Sequence, residues 1–354
     1  MTESAAVKSQ RVRGLDSIRA ICAFWVVMGH IGAPPLTEWL DQSNPIAKVV
    51  AGIYGNLWSG PAAVIVFFVI SGFCIHYPYA RYLQIPSLST YLVRRYLRIG
   101  IPLMVAIGMS SALKVNLSVF NDSILWSLVA EAVYYGLYPG LLAGRRKFSG
   151  WAPLILGCVG IALVLTATNP TAGNYPSYGC GLNWVLGLPC WLSGCWLAER
   201  VQKREMHLAP SGSGEGDASR SIWIWRLSIW GLATVCSILR FHSPIGYPWT
   251  LNLFDVAVVF WLAQEIAYCA ATPFPRWLEW AGTWSYSLYL VHLLAVPVYG
   301  RLGVPNFGHF FNWVFLTFFV LLCSYLFYLL VELPGHVAAR SAGKLLSAAQ
   351  PSAR

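Results

Sequence analysis

The feature that most constrains this chain is a succession of ten apolar blocks, each about 16 to 22 residues long, near 15–33, 60–76, 99–115, 124–143, 151–167, 183–198, 222–239, 251–270, 284–299 and 310–331. As helices, such blocks cross a hydrocarbon layer about 30 Å thick. Hydrophobic residues make up 57% of the 354 positions and charged residues 11%, with a mean hydropathy of +0.57. A soluble domain carries roughly twice that share of charge. The expectation is an all-α, polytopic membrane helical bundle of about ten transmembrane helices. No polar stretch is long enough to enclose a second core. Lys8, Arg11 and Arg13 precede the first block in the manner of a signal peptide. That block contains Asp16, Arg19 and His30 and lacks a small-residue cleavage site, so it reads as a retained helix.

Net charge is +10, and its placement decides what it means. With the N-terminus inside, nineteen of the 24 basic residues fall on the cytoplasmic side, while Lys48, Lys114, Arg240 and Arg301 fall outside. This asymmetry predicts that both termini are cytoplasmic and gives the positive charge a topological role, with no nucleic acid as partner. The resulting plan is a cytoplasmic tail at 1–14, a membrane domain at 15–332 and a cytoplasmic tail at 333–354. Within the membrane domain, P-S-G-S-G-E-G-D marks a flexible cytosolic linker over 199–221. The nine cysteines form no C-x-x-C pair and read as small buried hydrophobes, with neither a disulfide framework nor a metal site.

Ionisable groups inside membrane spans are costly unless they face a cavity or a partner, so they are the functional candidates. Arg19 and His30 are eleven residues apart, about three turns and about 16 Å of rise, and share one face of the first helix. Asp16 lies three residues before Arg19 and can pair with it. In W-S-L-V-A-E-A-V-Y-Y, Ser127 and Glu131 share a face beside Trp126. Ser285, Tyr289 and His292 align likewise, and Ser71 with Gly72 permits close backbone approach at a cavity wall. Arg95 and Arg98, in Y-L-V-R-R-Y-L-R, present two guanidinium forks suited to phosphate. The cavity-lining candidates are thus Asp16, Ser71, Trp126, Ser127, Tyr289 and His292.

Five stretches occur together and in order: R-G-L-D-S-I-R-A at Arg13–Ala20 with His30 following, F-F-V-I-S-G-F at Phe67–Phe73, R-R-Y-L-R at Arg94–Arg98, W-S-L-V-A-E at Trp126–Glu131, and S-Y-S-L-Y-L-V-H at Ser285–His292. In this the chain resembles the acyltransferase-3 family of integral membrane acyltransferases. R-I-G-I-P after the arginine pair departs from the tighter arginine-to-proline spacing usual there. The resemblance implies transfer of an acyl group from acyl-CoA, commonly acetyl-CoA, to a hydroxyl of a carbohydrate, glycolipid or natural product. It maps catalysis to His30 and matches the family's arginines to Arg19, Arg95 and Arg98, whose guanidinium groups are the candidates to hold the donor's phosphates. His30 would serve as general base or as transient acyl carrier, with Glu131 orienting it or stabilising its charged form. The plasma (bacterial inner) membrane is the expected location. The competing expectation is a proton-coupled secondary transporter with His30, Glu131 and His292 as a relay.

Overall fold

The computed structural model describes residues 12–41, 43–115, 117, 124–207 and 215–349. Most of the expected tail 1–14, the centre of the expected linker and the last five residues of the tail 333–354 lie outside the described residues. Thirteen α-helices follow one another among the described residues, without a strand: α1 (Leu15–Ile31), α2 (Pro45–Asn56), α3 (Gly60–His76), α4 (Leu88–Leu113), α5 (Leu125–Lys147), α6 (Ala152–Thr168), α7 (Gly179–His207), α8 (Glu215–His242), α9 (Tyr247–Ala271), α10 (Arg276–Thr283), α11 (Ser285–Arg301), α12 (His309–Phe327) and α13 (Leu333–Ala349). A π-helical turn, Tyr328–Glu332, joins the last two.

Each of the ten apolar blocks coincides largely with one helix. Five stretches are long and apolar enough to cross a membrane: Pro45–Tyr79, Leu88–Leu113, Ser219–His242, Tyr247–Ala271 and His309–Ala348. Local signals start several helices. Proline occupies the first turn of α2, α3, α6 and α9, where its missing N–H is not needed. The Asn44 side chain caps α2 through the Ile46 amide, and Ser87 caps α4 through that of Thr90. The Ser87 cap starts α4 eleven residues before the apolar block at 99–115, so Arg95 and Arg98 stand inside a helix rather than ahead of one.

Helix α3 is apolar all round and buried on most sides, as expected of a central helix. It meets α7 backbone to backbone. A Cβ on Gly72 would collide with the Trp191 carbonyl, and one on Gly194 with the Val69 carbonyl. Small residues permit such contact where apolar surface gains nothing from leaving lipid. Gly194→Ala is therefore expected to cost about 1–3 kcal/mol by overpacking, read as a lower unfolding midpoint in detergent. Glu199 ties the same core together from α7. It accepts from Arg145 Nε (2.7 Å) and Nη2 (2.8 Å), from Trp151 Nε1 (2.9 Å) and from His76 Nε2 (3.2 Å).

The expected flexible linker 199–221 and the expected tail 333–354 are both partly helical. Helix α7 runs through the first part of 199–221 and α8 begins within its last part. Residues 333–349 form α13, which packs along α4, with Gly335 against Ile101 and Gly343 against Arg94. Its Ser347 hydroxyl lies 3.1 Å from that of Thr90.

Candidate active site

The N-terminus of α1 is fixed by α10, where Glu279 accepts from the Gly14 amide (2.9 Å) and the Ser17 hydroxyl (2.8 Å). A carboxylate there also complements the positive end of the helix. The start of α1 carries Asp16 and Arg19, 3.8 Å apart, into a mouth of about 610 Å³. Arg94, Arg95 and Arg98 of α4 line the same mouth, and α13 adds His336 and Arg340. Five guanidinium groups around one opening, with Asp16 as its carboxylate, make a site for anionic oxygens.

Arg19, Cys74, Arg95 and Arg98 also border an inner cavity of about 90 Å³. Its wall holds two carboxylates. Glu131 accepts through Oε1 from the Ser71 hydroxyl (2.6 Å) and the Tyr135 hydroxyl (2.6 Å), and Trp191 Nε1 donates in turn to Ser71 (3.2 Å). Glu332 is 2% exposed; its Oε2 accepts from the Ser287 amide (3.1 Å) and hydroxyl, and its Oε1 lies 3.4 Å from His336 Nε2. Sequence reasoning missed Glu332, which falls one residue past the end of the last apolar block. The π turn that carries it alters the helical register there, as such turns do at functional sites. Ser127, one turn before Glu131 on α5, shares a hydrogen bond of 2.6 Å with Tyr289, and Tyr289 donates to the Ile124 carbonyl (2.9 Å).

At the other end of α1 lies a vestibule of about 710 Å³. His30, exposed, and Trp126 line it together with Trp58, Ser59 and Tyr175. Val64 and Tyr289 belong to the walls of both the inner cavity and the vestibule, and so stand as a partition between them. Three spaces thus follow one another from the guanidinium mouth to His30.

Arg19, Arg95 and Arg98 come together at the mouth, and Asp16, Ser71, Trp126, Ser127 and Tyr289 each line one of these spaces. His292 does not line them. It is fully buried behind His30, with its Nε2 3.3 Å from His30 Nδ1. Glu131, expected to orient His30 or stabilise its charged form, bonds to Ser71 and Tyr135 in the inner cavity, whereas His30 lies one space further on. The cause is depth along the helices. Glu131 projects from α5 toward the second half of α3, while His30 stands at the last turn of α1.

A family model described as an acyltransferase domain matches residues 12–329. Neither the curated proteins nor the solved structures contain a match to the chain.

Proposed function

The chain belongs to the acyltransferase-3 family of membrane acyltransferases, and from that premise we propose that it moves an acyl group, acetyl in the first instance, from acyl-CoA to a hydroxyl of a carbohydrate, glycolipid or natural product. The observation that carries this reading is the succession of spaces from five guanidinium groups to one imidazole. The donor's phosphates rest on Arg95, Arg98 and Arg19, which offer charge-assisted and bidentate hydrogen bonds. Its thin pantetheine arm enters the neck that these arginines share with Cys74 and brings the thioester toward the partition at Val64 and Tyr289.

The acceptor approaches from the vestibule. Aromatic faces suit the apolar side of a sugar ring, and the Trp58 indole N–H, the Ser59 hydroxyl and the Tyr175 hydroxyl are buried without a hydrogen-bond partner among the described residues. Buried polar groups seldom stay unpaired, and hydroxyls of an acceptor are suitable partners. His30 takes the acceptor O–H proton as general base while the oxygen attacks the thioester carbonyl. Collapse of the tetrahedral adduct breaks the C–S bond. The departing thiolate takes the proton back from the imidazolium, leaving the ester and free CoA.

In this reading the chain sits in the plasma membrane of a bacterium, with the arginine mouth and both termini on the cytosolic side and residues 15–332 as the membrane acyltransferase domain. The transporter alternative needs His30, His292 and Glu131 in one relay. Glu131 is bonded within another cavity, which is why acyl transfer is preferred. Purified protein in liposomes is the test. Saturable binding of labelled acetyl-CoA, with slow release of free CoA, is the expected result; counterflow of a sugar without any acyl transfer would overturn it.

A further inference from the structure

The imidazoles of His30 and His292 lie with ring centroids 5.0 Å apart and planes inclined by 49°. Each also stands over a main-chain carbonyl one turn back, and a carbonyl can only accept. His292 Nδ1 is 3.2 Å from the Leu288 carbonyl, so that nitrogen bears hydrogen and Nε2 keeps its lone pair. His30 Nδ1 is 2.8 Å from the Val26 carbonyl and therefore bears hydrogen too. Its other neighbour is the lone pair of His292 Nε2 at 3.3 Å. One tautomer assignment satisfies all three contacts: His30 Nδ1–H is shared between two acceptors, and His30 Nε2 is left bare for chemistry.

We propose that His292 is a positioning residue that holds the His30 ring with Nε2 free and stabilises the imidazolium formed during transfer. The inference rests on the acyl-transfer reading and specifies which second group serves its base. In hydrolases a buried carboxylate plays this part. Among the described residues no carboxylate pairs with either ring; the other titratable side chain nearby is Tyr289, whose ring centroid is 6.2 Å from that of His292. A neutral imidazole suits the fully buried position of His292, because it carries no charge while His30 is unprotonated. It still offers a lone pair once His30 becomes positive.

The test compares His292→Phe, which keeps a ring but cannot accept, with His292→Gln, whose amide oxygen can. His292→Phe is expected to lower kcat by about 10–100-fold, the range known for loss of a partner that orients a metal-ligating histidine, with KM for acetyl-CoA and for the acceptor unchanged. His292→Gln is expected to recover most of that loss. Wild-type kcat in His292→Phe would overturn the proposal. So would equal impairment of both variants with raised KM and a lowered unfolding midpoint, which marks a packing role. A readout free of activity is nitrogen NMR of histidine-labelled protein, where a protonated His30 Nδ1 coupled across its hydrogen bond to His292 Nε2 is expected. An unprotonated His30 Nδ1 would sink the inference even in an active enzyme. The coupling seen in a wild-type protein that transfers no acyl group would instead sink the acyl-transfer reading alone.

Discussion

His30→Ala is expected to lower acyl transfer by about 10²–10⁴-fold, the range a positioned general base contributes. Binding of labelled acetyl-CoA should stay within about twofold of wild type, because of the arginines proposed to hold the donor Arg19 stands about 16 Å down the same helix and Arg95 and Arg98 belong to α4, at the mouth rather than the vestibule. His30 Nε2 is the atom that the hydrogen bonds of its ring leave unoccupied, and it belongs to a side chain exposed to the vestibule. No other described imidazole lines that space. Full transfer by the alanine variant, measured with acceptor and donor both saturating, would remove His30 from the chemistry.

The joint replacement of Arg95 and Arg98 by alanine should act on the opposite quantity. A hydrogen bond to a charged group contributes about 1.5–3 kcal/mol, so losing two weakens donor binding by about 10²–10⁴-fold. The measured change belongs in the apparent affinity for acetyl-CoA, with kcat at saturating donor largely kept. Lysines at both positions restore the charge without the planar fork, and an intermediate affinity is expected. Donor affinity unchanged in the alanine pair would take these two arginines out of the binding site.

The order of these parts was legible in the chain because membrane helices announce themselves by length and apolarity. The helices outside the ten blocks were not. Arg276–Thr283 is too short for any window to register, and Leu333–Ala349 is rich in alanine, glycine and serine, residues whose value lies in letting α13 approach α4. Single residues followed the same division. The arginine pair and the His30 stripe could be read from spacing along one helix, since that geometry is local. Which carboxylate faces which histidine could not, because it depends on how far α5 and α11 are slid along α1 and α3. Spacing alone thus gives neither the bonds of Glu131 to Ser71 and Tyr135 nor the contact of His292 with His30. Glu332 escaped because its inward direction comes from a register change that no periodic pattern encodes.

The wall that Val64 and Tyr289 contribute to two adjoining spaces bears on more than substrate access. Moving one elementary charge across a membrane potential is worth about 2.3 kcal/mol per 100 mV, so a continuous wet path from one end to the other would discharge the cell's ion gradients. Under the proposed function, with donor and acceptor arriving at opposite ends, the protein has to behave as an airlock, passing a neutral acyl fragment while remaining an insulator to protons.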